Sequence, residues 1–151
     1  MRILSVVYAS SLFLAVSAWA QGGASEETLR TAPPAVQQAV NAERDRGATL
    51  RGIVKEVTAG VTLYEAEMIV ADRRRDIMFD VEGRIVSLEE QKTLSEIPEA
   101  ARAAIKRAAG NGKLLLVEKV TKGATIFYEG HVSAAGKTTE VKVDADGRPV
   151  Q

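Results

Sequence analysis

The chain has 151 residues, of which 46% are hydrophobic and 26% are charged, and it contains no cysteine. Lysine plus arginine and aspartate plus glutamate number 20 each, so the formal net charge is zero. These values are typical of a globular protein with one domain or two very small ones. They exclude a fold held by disulfides and provide no net positive charge for nucleic acid binding.

The first twenty residues differ in kind from the rest. A positive start at Arg2 precedes an almost wholly apolar run over residues 3–16, and Ala18-Trp19-Ala20 ends the segment with small residues around a large one. This layout predicts a secretory signal peptide over residues 1–20, followed by a flexible segment over residues 21–30. The protein would then be periplasmic or secreted, without a stable membrane anchor after cleavage. The alternative is an uncleaved anchor, because the apolar run is just long enough to cross a thin bilayer.

The rest of the sequence repeats itself. Tyr64-Glu65 recurs as Tyr128-Glu129, an offset of 64 residues. The other matched segments are residues 33–40 with 98–105, 55–58 with 118–121, and 79–84 with 143–148. Matched turn and Tyr-Glu segments at one spacing are not explained by shared alanine content, so we predict two tandem copies of one unit over residues 31–90 and 91–151.

Each copy begins with a helix pattern. Pro33 and Pro98 stand where a helix can start without losing a hydrogen bond. Val36, Ala39 and Val40 then fall on one helix face, and residues 97–108 carry a similar apolar stripe. Gly47 and the glycines at 110 and 112 are expected to end these helices.

Strand patterns follow the helices. Residues 62–70 and 126–133 alternate, with Tyr64 and Tyr128 on the expected inner face. Gly83 and Gly147 each follow an acidic residue, as in tight hairpin turns. We predict an α+β fold of two helix-plus-four-stranded antiparallel meander units, joined through residues 87–96, that share one sheet with both helices on one face.

The helix, the strand with Tyr-Glu, and the closing segments Phe79-Asp80-Val81-Glu82-Gly83-Arg84 and Val143-Asp144-Ala145-Asp146-Gly147-Arg148 resemble a PepSY-like domain. More narrowly, the chain resembles the tandem PepSY-like proteins grouped with the beta-lactamase inhibitory protein. The resemblance implies an exported bacterial protein that binds proteins, and some PepSY domains are associated with restraining peptidases. The inhibitor of that group has disulfides and a contact set that this chain lacks, so inhibition of a beta-lactamase is not carried over.

Residues that carry catalytic chemistry are sparse. The only histidine, His131, lies on a strand pattern beside glutamates, with no nucleophile next to it, so no catalytic residue and no enzymatic activity is expected. Residues 144–147 contain part of a calcium-loop pattern but lack its later ligands, and we expect a turn there, no metal site and no cofactor. Residues 73–75, three arginines flanked by Asp72 and Asp76, are interpreted as a solvated hairpin tip and not as a nucleic acid-binding patch.

One set of residues suggests a binding surface. The outward positions of the two Tyr-Glu strands are Leu63, Glu65, Glu67, Phe127, Glu129 and His131. Apolar anchors inside a polar rim are typical of protein interfaces, so these residues could bind a protein partner in the bacterial envelope, such as a peptidase. A solvated sheet face and a homodimer contact are the alternatives. A second hypothesis is a periplasmic small-ligand or metal-responsive sensor, in which Glu65, Glu67, Asp144 and Asp146 take up cations.

Overall fold

A computed structural model describes residues 28–150, so the predicted signal peptide and most of the predicted flexible segment lie outside the described residues. The elements in chain order are α1 (Pro34–Asp45), β1 (Thr49–Thr58), β2 (Val61–Val70), β3 (Arg73–Asp80), β4 (Ile85–Gln91), α2 (Glu99–Ala109), β5 (Lys113–Lys122), β6 (Thr125–Ala134) and β7 (Lys137–Val143). The strands form one antiparallel sheet in the order β1-β2-β3-β4-β5-β6-β7. The class is therefore α+β, as predicted. Within residues 28–150, neither α1 nor α2 has the length and apolar content needed to span a bilayer.

The helices form where the sequence predicts them. Pro33 and Pro98 are the N-cap residues of α1 and α2, and Gly47 and Gly110 have positive φ just after the two helices. Glu43 lies on the same face of α1 as Val36 and Val40 and is buried with them. This carboxylate lies 2.8 Å from Arg46 Nη1 and 3.1 Å from Arg75 Nη1, so its burial is compensated.

Two core clusters lie between the helices and the sheet. Val36 and Val40 of α1 belong to a cluster with Ile77 and Phe79 of β3. The second cluster contains Ala101, Ala104, Ile105, Val117 and Val143. The strand register aligns Arg75, Glu90, Lys119 and Tyr128 in one row across the sheet, and Tyr128 packs against the second cluster. Aligned residues share a face, so both helices cover the same side of the sheet.

Ile105 packs unusually close to the sheet. A Cβ at Gly130 would lie 2.6 Å from Ile105 Cγ2. At the corresponding place in the first half, Ala66 is fully buried in the cluster that contains Val40. The larger Ile105 thus packs against the smaller Gly130, and the smaller Val40 shares its cluster with the larger Ala66. Both pairs fill the space between helix and sheet.

The predicted meander differs from the structure in three places. The short strand predicted after Gly147 is reduced to an isolated bridge between Val143 and Pro149, because proline has no N–H to continue a ladder. Residues 87–91, expected in the joining segment, belong to β4 and pair with β5. Lys55 and Lys119 lie opposite Tyr64 and Tyr128, so the match of residues 55–58 with 118–121 is wrong by one residue.

The three consecutive arginines do not form a hairpin tip. The tip is Ala71-Asp72, where both residues have positive φ, and residues 73–75 begin β3. Their side chains bind three different carboxylates, because successive strand residues point to opposite faces and Arg73 lies at the end of the strand. The pairs are Arg73 with Glu96, Arg74 with Asp76, and Arg75 with Glu43.

Candidate functional site on the open sheet face

The side of the sheet opposite the helices, called the open face below, is acidic at its centre. One row of aligned residues consists of Glu67, Asp76, Glu89, Val120 and Phe127. The next row consists of Gln91, Glu118, Glu129 and Lys142. Directly opposed strand residues have Cβ atoms about 5 Å apart, so these side chains are near neighbours. We call Glu65, Glu67, Asp76, Glu89, Glu118 and Glu129 the acidic strip.

Several carboxylates of the acidic strip are buried although α1 and α2 lie on the other face. Asp76 is 6% exposed, Glu118 is 2% exposed and Glu129 is 5% exposed. Val120, between them on the same face, is 2% exposed. Removing an ionised carboxylate from water costs free energy unless a cation or a donor compensates it.

Only some carboxylates of the acidic strip are paired with a cationic side chain or a hydrogen-bond donor. Arg74 Nη2 donates to Asp76 Oδ2 at 2.9 Å, and Lys142 Nζ lies 2.9 Å from Glu129 Oε1. His131 Nε2 lies 3.0 Å from Glu118 Oε2, and this hydrogen bond raises the pKa of His131 above its usual value. In the described part of the chain, Glu89 has neither a hydrogen bond nor an ion pair at its carboxylate, whereas both buried neighbours have one.

Several carboxyl groups of the acidic strip have raised pKa values. Burial raises the pKa of Glu89 to about 8, and the nearby charge of Glu118 adds to the effect. Burial and the charge of Asp76 raise the pKa of Glu65 to about 7. The pKa values of Asp76 and Glu129 are also raised by burial, despite the opposing effects of Arg74 and Lys142. Near neutral pH the strip therefore holds carboxyl groups that a bound cation would help to ionise.

The six residues expected on the outward side do lie on the open face, but in two groups. Leu63, Glu65 and Glu67 are on β2, and Phe127, Glu129 and His131 are on β6. The two strands are four positions apart in the sheet, or about 19 Å, so the groups do not touch.

Two of these outward side chains are not freely exposed. Glu129 is buried, and His131 is hydrogen-bonded rather than a freely exposed strand residue. The reason is that β5 and β7 place Glu118 and Lys142 beside them.

The acidic residues proposed for cation uptake are not brought together. Asp144 lies just after β7, five strand positions or about 24 Å from Glu65. Its Oδ1 accepts the backbone N–H groups of Asp146 and Arg148, as Asp80 Oδ1 accepts those of Glu82 and Arg84. The expected turn is therefore present at both places.

Sequence reasoning missed the central residues of the acidic strip, Asp76, Glu89 and Glu118. One carboxylate oxygen of each lies within 4.8 Å of those of the other two, and the same holds for one ligand atom each of Glu118, Glu129 and His131. The available signal was their outward position on three strands that are consecutive in the sheet. The sequence patterns did not reveal this signal, because residues 73–75 were predicted as a hairpin tip and residues 87–96 as a joining segment. Asp76 of β3 and Glu89 of β4 were therefore not predicted to lie opposite each other.

The chain is similar to several solved structures from Bacteroides species. A protein of Bacteroides eggerthii that has been proposed to be periplasmic is 18% identical, with 80% of this chain and 86% of that chain covered and a TM-score of 0.62. A DUF2874 family protein of Bacteroides ovatus is 15% identical, with 80% and 86% covered and a TM-score of 0.59. A BLIP-like protein of Bacteroides fragilis is 19% identical, with 80% and 84% covered and a TM-score of 0.56.

These likenesses establish the fold that the chain shares with the three proteins. No family model matches the chain. No curated protein matches it either.

Proposed function

We propose that this chain is an exported, non-enzymatic binding protein whose open face holds a basic segment of a protein partner in the bacterial envelope. The partner's lysine or arginine side chains would lie over the acidic strip. A peptidase of the same compartment is one such partner. The assignments to the PepSY-like type, to two tandem units and to the periplasm belong to the same proposal.

The observation that carries the proposal is the set of buried and incompletely compensated carboxyl groups in the acidic strip, whose ionisation a cation would favour. Asp76 and Glu118 are buried, and no cation among the described residues pairs with the carboxylate of Glu89 between them. Such a group lowers the stability of the free protein, and natural proteins keep features of this kind where binding requires them. A guanidinium or ammonium group from a partner would supply the missing charge through charge-assisted hydrogen bonds.

Apolar side chains flank the acidic strip on both sides. Leu63 and Met78 lie on the open face of β2 and β3, and Phe127 lies beside the buried Val120 on β6 and β5. Leu63 and Phe127 are partly exposed. An interface of this kind gains binding free energy from apolar anchors and specificity from the charges between them.

The surroundings of His131 support a role without catalysis. Its Nε2 faces carboxylates, at 3.0 Å from Glu118 and 4.0 Å from Glu129. A base that activates a hydroxyl or thiol nucleophile requires that group within hydrogen-bond distance, and here carboxylates occupy that place.

Other observations support the family and the compartment. Both halves contain a bulge in the first strand, after Leu50 and after Leu114, and both contain the same acid-glycine turn. The Bacteroides fragilis protein with this fold is named BLIP-like, and the Bacteroides eggerthii protein has been proposed to be periplasmic.

Charged substitutions at the apolar flanks test the proposal. Leu63→Glu and Phe127→Glu should each weaken capture of a periplasmic partner by at least about tenfold, because truncating one interface anchor typically costs about 1–2 kcal/mol or more. Val57→Glu is the matched control: Val57 is 62% exposed and aligned with Thr62, on the helix side of the sheet. Affinity of the captured partner is measured by surface plasmon resonance at two salt concentrations, with circular dichroism as the folding check.

The proposal also predicts weaker capture at the higher salt concentration, because the contact is between opposite charges. Undiminished binding by both open-face variants, or an equal loss in the Val57 variant, would contradict it.

A further inference from the structure

We infer that Asp76, Glu89 and Glu118 form a binding site for one hard divalent cation, of the Ca²⁺ or Mn²⁺ type, at the centre of the open face. This inference does not depend on the partner proposed above, because the ligands all come from this chain. It also differs from cation uptake by Glu65, Glu67, Asp144 and Asp146, because none of those residues is a ligand here.

The three carboxylates come from three consecutive strands. Asp76 of β3 lies directly opposite Glu89 of β4, and Glu118 of β5 is one diagonal step away, opposite Gln91. One carboxylate oxygen of each residue lies within 4.8 Å of those of the other two. An ion bound at about 2.4 Å from each oxygen fits between ligands with this spacing.

An orphaned atom points to a ligand at this place. Asp76 is 6% exposed, and its Oδ1 is buried without a hydrogen-bond partner, while Oδ2 is held by Arg74. One carboxylate oxygen of each of the three residues lies within 4.8 Å of the others, and among the described residues no group donates a hydrogen bond to Oδ1. A cation among the three would satisfy the buried oxygen and reduce the repulsion among the carboxylates.

Glu118 is held in position for such a role. Its Oε2 is fixed by His131 at 3.0 Å, in the way that outer groups often orient a metal-ligating carboxylate. The neighbouring group of Glu118, Glu129 and His131 is a weaker candidate, because Glu129 is already paired with Lys142 and His131 can itself carry the compensating proton.

The ligand chemistry decides the class of metal. Three carboxylates without a nitrogen or sulfur ligand favour hard cations over Zn²⁺ and Cu²⁺. Three protein ligands leave coordination positions for solvent, so we expect an affinity in the range of extracellular calcium modules, with a Kd of about 0.1–1 mM.

The experiment is a titration of the purified, chelator-treated protein with CaCl₂ and, separately, with MnCl₂, followed by calorimetry and by the melting temperature. We expect binding of one ion, a melting temperature higher by a few degrees at saturation, and Mn²⁺ broadening of amide NMR signals centred on β3, β4 and β5. Glu89→Gln and Glu118→Gln should each weaken binding by about tenfold or more, since ligand charge sets affinity. Glu56→Gln, on β1, is the control and should bind like the wild type.

Within residues 28–150 the Glu89 carboxylate makes no hydrogen bond, so the Glu89 variant keeps the test valid if the Glu118 variant fails to fold. The inference is overturned if neither ion binds at 10-fold excess over about 1 mM. It is also overturned if Glu129→Gln abolishes binding while Glu89→Gln retains it.

Discussion

Replacing Glu89 by glutamine is expected to stabilise the fold at alkaline pH. The pKa of Glu89 is raised from 4.5 to about 8, mainly by burial. Between these pH values the folded state keeps a proton that the unfolded state has lost, so the free energy of unfolding of the wild type falls as pH rises towards 8. We expect Glu89→Gln to match the wild type near pH 4.5 and to be more stable by about 2–3 kcal/mol at pH 9. Urea unfolding at these two pH values is the measurement.

Other groups on the open face titrate together with Glu89. The prediction therefore concerns the difference in free energy of unfolding between the Glu89 variant and the wild type at each pH. The charged groups nearest to it on the open face of neighbouring strands are Arg74, Asp76 and Glu118, and further away on that face lie Glu65, Glu67, Glu129, His131, Glu140 and Lys142. The raised pKa of His131 contributes stability that is also lost as pH rises, in both proteins alike. The control is Glu140→Gln, because Glu140 is exposed and forms only a surface ion pair with Lys142. This substitution should change the free energy of unfolding by no more than about 0.5 kcal/mol. A Glu89 variant less stable than the wild type at pH 9 would contradict the prediction.

Gly83→Ala and Gly147→Ala are expected to be the most damaging glycine substitutions. Both glycines have positive φ, of 75° and 76°. A Cβ at Gly83 would lie 2.5 Å from the carbonyl oxygen of Ala35, and one at Gly147 would lie 2.5 Å from that of Ala100. Each closing turn thus rests directly on the first turn of its helix. We expect a loss of about 3 kcal/mol or more for each, because backbone strain and a clash with main-chain atoms add together.

Gly60→Ala separates the two effects. Gly60 has a φ of 81°, but a Cβ there would meet nothing within 4 Å. Only the conformational cost remains, about 1 kcal/mol. Chemical unfolding of the three variants gives the comparison. If the Gly83 variant lost no more stability than the Gly60 variant, the close docking of turn on helix would be wrong.

The sequence predicts those features that depend on neighbouring residues. The alternation of Tyr64, Ala66 and Met68 correctly identifies the buried face of β2, since each side chain's direction follows from its position in the strand. The glycine turns and the helix starts at Pro33 and Pro98 are local in the same sense.

Features that depend on strand register could not be predicted. Glu118 is buried beside Glu129 only because β5 aligns with β6 at that position, and Glu89 meets Asp76 only because β4 continues the sheet. A one-residue change of register moves a side chain to the other face of the sheet. Lys55 lies on the helix side, so matching it to Glu118 assigned Glu118 to the wrong face. The acidic strip is therefore a property of the assembled sheet.

A carboxyl NMR titration of Glu65 and Glu89 tests the account most directly. Both side chains would be followed from pH 3 to pH 10 in chelator-treated protein, with assignments from the Glu65→Gln and Glu89→Gln variants. We predict midpoints of about 7 for Glu65 and about 8 for Glu89. Midpoints near 4.5 for both would show that solvent already satisfies these carboxylates, and would contradict the claim that the open face holds carboxyl groups whose ionisation a bound cation would favour.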